Sequence, residues 1–236
     1  EHREELLQSI RDGSYEPSPV RRKEIPKPDG GVRKLGIPTV VDRVIQQGIA
    51  QKLQNIWEPL FSDSSYGYRP RRSGQQAIQK VKEYAEEGYR YAVSVDLSKY
   101  FDTLNHELLM NLLHRKIQDM RVLRIIKKYL KSGVMENGVV SKTEEGSPQG
   151  GPLSPLLANI YLNEFDWKMH SRGVKTVRYA DDIVVFAKSK RAAERLLEFS
   201  RKYLEGKLKL KMNTEKSKVT SIFAVKEFKF LGFCIG

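Results

Sequence analysis

No stretch of this chain constrains its fold more than Lys175-Thr-Val-Arg-Tyr-Ala-Asp-Asp-Ile-Val-Val-Phe-Ala-Lys188. Two runs of strand-forming residues, Thr176–Tyr179 and Ile183–Ala187, flank a polar centre with almost no room for a loop, so the stretch reads as a tight β-hairpin. With Asp181 and Asp182 as the two turn residues, Ala180 faces Ile183 and Tyr179 lies near Val184. Val177, Tyr179, Val184 and Phe186 then share one apolar face, and the carboxylates stand at the tip. Turns this short favour Asn-Gly or Asp-Gly, and adjacent acids repel each other. A positive partner is expected at that tip, and a divalent cation is the economical candidate. A solvated acidic turn is the plain alternative, which the rest of the chain has to overturn.

At 236 residues, with hydrophobic content of 39%, the chain can bury a substantial core as one large domain or two small lobes. Lys and Arg outnumber Asp and Glu by 42 to 29, a net charge of +13. That balance points to a polyanionic partner, nucleic acid before membrane, since no amphipathic or polybasic anchor stands out. Cys234 is the single cysteine, which excludes an internal disulfide and fits a reducing compartment. No apolar run is long enough to span a bilayer and none resembles a signal peptide. The start at Glu1 and the apolar Phe-Leu-Gly-Phe-Cys-Ile-Gly end read as cuts within a longer protein.

Taken in order, residues 2–11 form a short helix and a Pro-broken linker follows. Strands at Val20–Pro26 and Val32–Ile37 enclose Pro28-Asp29-Gly30-Gly31, a strong hairpin signal crowded by Arg21, Arg22, Lys23, Lys27, Arg33 and Lys34. Those charges fit a protected sheet edge or a clamp on phosphates equally well. Thr39 and Asp42 open a helix to Trp57 with Val41, Ile45, Ile49, Leu53 and Trp57 as its buried stripe. The segment 65–73 interleaves Tyr66 and Tyr68 with Arg69, Arg71 and Arg72, residue types that stack on bases and contact phosphates. Ser73 and Gln76 cap a helix to Glu87, and Arg90–Val95 alternates as a strand ending at Asp96. Leucine-rich helices are predicted over 105–116 and 119–132, a hairpin at Asn137-Gly138, and a long apolar helix over 156–170 after the stiff Gly146–Pro155 loop. An amphipathic helix over 190–206 is followed by strands at Leu208–Met212, 218–224 and 227–235. Mixed helices and hairpins suggest α+β, an antiparallel sheet backed by helices.

If the strands bearing Asp96 and Asp181-Asp182 are neighbours, their carboxylates meet at one sheet edge. Oxygen ligands of this kind suit Mg²⁺, which keeps waters and takes few protein carboxylates plus substrate phosphates. Two such ions, roughly 3.5–4 Å apart, serve phosphoryl transfer by stabilising the attacking and leaving oxygens.

These residues resemble a known family. Tyr179-Ala-Asp-Asp182 is similar to the catalytic box of reverse transcriptases, and Asp96 with Phe101 resembles the motif that precedes it. Tyr66-Gly-Tyr-Arg-Pro-Arg-Arg-Ser73, Gly146-Ser-Pro-Gln-Gly-Gly-Pro-Leu-Ser-Pro-Leu-Leu-Ala-Asn-Ile-Tyr161, Lys-Leu-Gly-Ile-Pro38 and Phe230-Leu-Gly-Phe233 are similar to the group II intron-encoded branch, the maturases. The resemblance covers nearly the whole chain. It implies the fingers and palm of a right-hand polymerase: fingers over 1–90, palm mainly over 91–236 with part of 110–150 returning to the fingers, and a thumb and maturase domain absent from this stretch. It implies RNA-directed DNA synthesis with two Mg²⁺ ions, recruited with the dNTP. Asp96 and Asp181 are the metal-bridging positions, Asp182 an auxiliary ligand, and the Leu97 carbonyl a further contact. Lys27 and Arg33 match triphosphate-holding positions, Phe101 the aromatic that blocks a 2′-hydroxyl, Gln149 the loop residue against the nucleotide, and Lys216 a lysine near the leaving pyrophosphate. Implied partners are intron RNA, an RNA template with DNA primer, and dNTP, with no membrane. Arg21, Arg22, Lys23, Arg69, Arg71 and Arg72 are the RNA-binding candidates. A domain bared of its thumb exposes apolar surface, so a homodimer is one form to expect. The implied setting is a cytoplasmic ribonucleoprotein, bacterial or organellar. A non-enzymatic splicing factor on the same scaffold and a retron-type enzyme are the competing readings. The four histidines fall in no ligand spacing.

Overall fold

Proline and glycine punctuate the chain into short elements, and the computed structural model describes them over residues 2–26, 30–136, 138–147, 149–224 and 228–234. In chain order these are α1 (His2–Asp12), β1 (Val20–Pro26), β2 (Val32–Ile37), α2 (Val40–Trp57), α3 (Gly74–Glu86), β3 (Tyr91–Val95), α4 (His106–His114) and α5 (Met120–Lys131). Then follow β4 (Val134–Glu136), β5 (Val139–Ser141), α6 (Ser154–Ser171), β6 (Thr176–Tyr179), β7 (Asp182–Ala187), α7 (Lys190–Gly206), β8 (Lys218–Ser221), β9 (Lys229–Phe230) and β10 (Phe233–Cys234). The chain divides into two compact units, residues 1–56 with 101–157 and residues 57–100 with 158–236.

The first unit carries a sheet of order β2-β1-β4-β5, in which β1 and β4 run parallel and the other pairs antiparallel. Arg21↔Ile37 through Pro26↔Val32 confirms the basic hairpin; Lys27, Pro28 and Asp29 lie outside the described residues. Asn105 caps α4 and Asp119 caps α5 through side-chain bonds to backbone N–H groups, as short polar residues do at helix starts. The apolar sides of α4 and α5 close a core around Leu109, Leu113, Leu123, Ile126 and Leu130. The buried side of α2 differs from expectation. Leu53 and Trp57 are buried, but Val41 and Val44 are exposed and the inward positions of the first turns are Asp42 and Gln46. Asp42 faces inward because it is satisfied there: it accepts from the Tyr15 hydroxyl at 2.6 Å and the Thr39 hydroxyl at 2.5 Å.

The second unit is built on an antiparallel sheet of order β6-β7-β3-β8. One face brings Val177, Val184, Phe186 and Ala92 against Ala77 and Val81 of α3, with Tyr66, Ile222, Phe228 and Phe230 completing the cluster. The alternate residues Val93, Val95, Ile183 and Val185 are buried on the other face. Sheet strands buried on both sides read as near-continuous apolar runs, which is why Ile183–Ala187 shows no polar alternation. The helix α3 starts with the full capping box of Ser73 and Gln76. Two expected strands are not formed. Leu208, Leu210 and Met212 are buried in alternation, but Lys209 adopts φ +56 and Leu208 and Leu210 bond back to Tyr203 and Leu204, leaving only the isolated bridge Leu97↔Met212. Of the strand expected over 227–235, residues 227 and 235 lie outside the described residues; between them the chain forms β9 and β10, two residues each, separated by Leu231 and Gly232, both at positive φ.

Candidate active site

The hairpin of β6 and β7 has a two-residue turn, one position earlier than expected. Tyr179 pairs with Asp182, so Ala180 and Asp181 make the turn and Asp182 is the first residue of β7. Ala180 takes φ +57, the positive angle that a II′-type turn demands at its first central position. The apolar face survives the shift because Val177 and Val184 are themselves partners.

This register assembles the carboxylates. Strand β3 pairs with β7 through Val95↔Ile183, so the next step sets Asp96 opposite Asp182, with Asp181 beside it at the tip. Residues opposed across an antiparallel pair have Cβ atoms about 4.5–5.5 Å apart, and like charges there repel. The electrostatics agree. Protein crowding around the hairpin strips water from the Asp182 carboxyl, and the charges of Asp181 and Asp96 add to that, pushing its pKa from 3.8 up to about 6. The residue keeps an open side to solvent. Among the described residues, no three His, Cys, Asp or Glu side chains converge closely enough to hold a metal ion by themselves. A cluster of like-charged oxygen donors has the chemistry of a divalent-cation site.

The backbone of Asp96 is clamped from the 213–217 segment. The Asn213 N–H donates to the Asp96 carbonyl at 2.8 Å, and the Ser217 hydroxyl oxygen accepts the Asp96 N–H at 2.9 Å. Asn213 Oδ1 accepts from the N–H groups of Glu215 and Lys216, a local turn that leaves Lys216 exposed. Leu97 is buried and bridges to Met212.

The opposite end of the site is held by Arg178, which nothing in the sequence reading singled out. It is fully buried on β6 and paired with an equally buried Asp166 on α6, at 2.6 Å. Segment 64–66 runs along β6, with Arg178 N–H to Ser64 O at 2.7 Å and Tyr66 N–H to Arg178 O at 2.8 Å, covering the edge strand. The available signal was a charge set in an apolar strand and, on the apolar helix α6, Asn159 and Asp166 seven positions apart and so on one face.

The first unit holds a second group of expected positions. The loop 146–151 is stitched to β2 and to the segment before α4. Gly36 N–H donates to the Gln149 carbonyl at 2.7 Å, and Ser147 N–H to the Phe101 carbonyl at 2.6 Å. Gly150 and Gly146 permit this approach, since a Cβ would sit 2.8 Å from Gly36 O and 2.7 Å from Asp102 O. Phe101 is buried; Gln149 is half-buried and Arg33 exposed on β2. Lys27 lies outside the described residues.

The RNA-binding candidates divide. Arg69 is buried and its guanidinium bonds Glu58 at 2.8 Å and the carbonyls of Ser62 and Ser65, so its charge is spent inside the fold. Arg72 is partly committed, to Asp63 at 2.6 Å and over the Tyr66 ring. Arg71, Arg21 and Lys23 are exposed, and Arg22 is half-buried. His106 is structural: its Nε2 meets the Gly146 carbonyl at 2.6 Å.

Comparison with known proteins follows the same lines. The family of reverse transcriptases (RNA-dependent DNA polymerases) matches residues 25–235. Over 92% of its length the chain is 38% identical to protein YkfC of Escherichia coli K12, covering 68% of that protein. It is 46% identical to the group II intron-encoded protein LtrA of Lactococcus lactis over 68% of its own length and 27% of LtrA's. A putative COX1/OXI3 intron 2 protein of Saccharomyces cerevisiae is 36% identical over 68% of the chain, which spans 19% of it. Among solved structures, telomerase from Candida tropicalis with a fragment of telomeric RNA superposes at a TM-score of 0.69, with 14% identity over 98% of this chain and 47% of that one. Telomerase from Candida albicans gives 0.68 at 15% identity, over 92% of this chain and 44% of its own. At those identities the likeness speaks for the polymerase fold alone. Motif order and family match converge, with intron-encoded proteins among the relatives: the chain belongs to the reverse transcriptase family.

Proposed function

We propose that this chain is the nucleotidyl-transfer domain of an intron-encoded protein that binds its intron RNA, supports its splicing and copies it into DNA. The observation that carries the reading is the β3–β7 register, which opposes Asp96 and Asp182 beside Asp181. In the reaction, a primer 3′-hydroxyl loses its proton to water as its oxygen bonds to the α-phosphorus of a dNTP, the bond to the β-phosphate bridging oxygen breaks, and pyrophosphate leaves. Asp96 and Asp181 would hold two Mg²⁺ ions, with Asp182 auxiliary and the Leu97 carbonyl a further contact. The chemistry such ions would supply there is acidification of the attacking hydroxyl and neutralisation of the leaving charge. In this reading Lys27 and Arg33 hold the triphosphate, Phe101 and Gln149 lie against the sugar and base pair, and Lys216 stands near the pyrophosphate. The carboxylate-bearing unit corresponds to palm and the basic hairpin to fingers. Arg71, Arg21 and Lys23 offer exposed charge to the RNA backbone, which carries most of the affinity for structured RNA.

Primer extension on an RNA template with the full-length protein tests this, comparing native chain with Asp181→Asn. DNA synthesis by the native protein and its loss in the variant, with intron RNA binding unchanged, is the expected result. Tight intron binding without synthesis by the native protein would leave a splicing factor that has kept only the scaffold.

A further inference from the structure

We propose that Arg178 is a positioning residue: its buried guanidinium sets the direction of the Asp181 carboxylate by holding the Ala180–Asp181 peptide. The inference rests on the polymerase reading of the site and adds to it a residue that never meets substrate.

All five N–H donors of Arg178 are used. Nε donates to Asp166 at 2.9 Å and Nη2 to Asp166 at 2.6 Å and to Ser65 Oγ at 2.8 Å. Nη1 donates to Asn159 Oδ1 at 2.8 Å and to the Ala180 carbonyl at 2.8 Å. Stability alone does not account for such an arrangement. Charges withdrawn from water seldom gain net stability from pairing, and an apolar side chain of similar volume packs at least as well. What an apolar side chain cannot do is grip a carbonyl at the turn.

That carbonyl matters because a peptide group is planar. Fixing Ala180 O fixes the plane that ends at the Asp181 Cα; the Tyr179↔Asp182 pairing fixes the peptide that follows, and the two together set the direction in which the side chain leaves. Ala180 is also at φ +57, which L residues avoid unless their surroundings impose it. The imposition is visible from the other side. A Cβ on Gly67 would lie 2.3 Å from the Ala180 nitrogen, so the Gly67 backbone is pressed against the turn. Asn159 joins the two constraints, accepting from Arg178 Nη1 and donating its Nδ2 to the Gly67 carbonyl at 2.7 Å. One network therefore grips the turn through its carbonyl and braces it through its nitrogen.

The test uses Arg178→Lys and Asn159→Ala in the full-length protein. Lysine keeps a charge for Asp166 but cannot fork to Asn159 and Ala180 as well. Asn159→Ala leaves the ion pair and frees Gly67, which guards against a folding failure of the first variant. Two readouts are taken on folded protein: kcat and KM in primer extension, and Mn²⁺ affinity by electron paramagnetic resonance. Positioning predicts a fall in kcat of about 10–100-fold in both variants, the scale of a misaligned reacting group. KM for dNTP changes less than kcat, and Mn²⁺ binds more weakly. Native kcat and native Mn²⁺ affinity per folded molecule would overturn the proposal, leaving Arg178 a purely structural residue. If the native protein makes no DNA, the polymerase reading fails separately. Positioning is then decided by Mn²⁺ alone, and unchanged affinity in both variants overturns it.

Discussion

Replacing Asp182 with asparagine removes a negative charge that the fold holds unwillingly, and the consequence for stability can be worked out. Below pH 3.8 the folded and unfolded chains both carry the Asp182 proton. Between 3.8 and about 6 the folded chain still holds a proton that the unfolded chain has released, so stability falls as pH rises. Above about 6 the whole penalty is present. Its upper bound is the shift of roughly two units at about 1.4 kcal/mol per unit, near 3 kcal/mol. The open side of Asp182 allows solvent screening, which reduces this to about 1–2 kcal/mol. Asparagine is nearly isosteric and never acquires the charge. In chelator, Asp182→Asn should therefore be more stable than the native protein at pH 8 by about 1–2 kcal/mol. For a chain of this size that raises Tm by about 2–8 °C. At pH 4 most of the gain disappears, because the native carboxyl is then protonated. Thermal and urea unfolding at both pH values measure it. A variant no more stable at pH 8, or one equally stabilised at pH 4, would refute the claim that Asp96, Asp181 and Asp182 crowd one another.

Four further outcomes follow, three from packing and one from surface charge. Gly67→Ala places a Cβ against the Ala180 nitrogen, so a backbone shift costing about 1–3 kcal/mol is expected; urea unfolding reads the cost, and DNA synthesis should fall with it. Ser217→Ala removes the hydroxyl that accepts the Asp96 N–H, with an expected loss of about 1–2 kcal/mol in unfolding free energy and a lower kcat in primer extension. Arg69→Ala should destabilise by about 1–3 kcal/mol, chiefly through the Ser62 and Ser65 carbonyls it leaves unpaired. Arg71→Ala, by contrast, should leave Tm unchanged and reduce the salt dependence of RNA binding by about one counterion.

Much of this architecture could be read from residue order because it rests on local chemistry. The capping box of Ser73 and Gln76, the cap at Thr39, and the hairpin strands Val20–Pro26 and Val32–Ile37 are set by neighbours in sequence. Buried residues were misjudged where a polar group found a distant partner. Asp42 and Gln46 took the inward side of α2 from Val41 because Tyr15, far earlier in the chain, satisfies Asp42. Leu208–Met212 has strand periodicity, but Leu208 and Leu210 bond back to Tyr203 and Leu204 and Lys209 takes a positive φ, so alternation alone misled. The hairpin turn was displaced by one residue because Ala180 accepts a positive φ that its composition does not advertise. The carboxylates themselves were legible, since adjacent acids at a tight turn need a reason. Arg178 was not, because its role exists only once α6, the 64–67 segment and the turn are brought together.

The central claim is that acids distant in sequence meet to share metal with an incoming nucleotide. Counting Mn²⁺ ions bound to the full-length protein with RNA template, DNA primer and a non-hydrolysable dNTP tests it most directly. The account predicts two ions per complex with native protein, fewer with Asp96→Asn and with Asp181→Asn, and weak binding when the nucleotide is omitted. An ion count that neither substitution changes would contradict it.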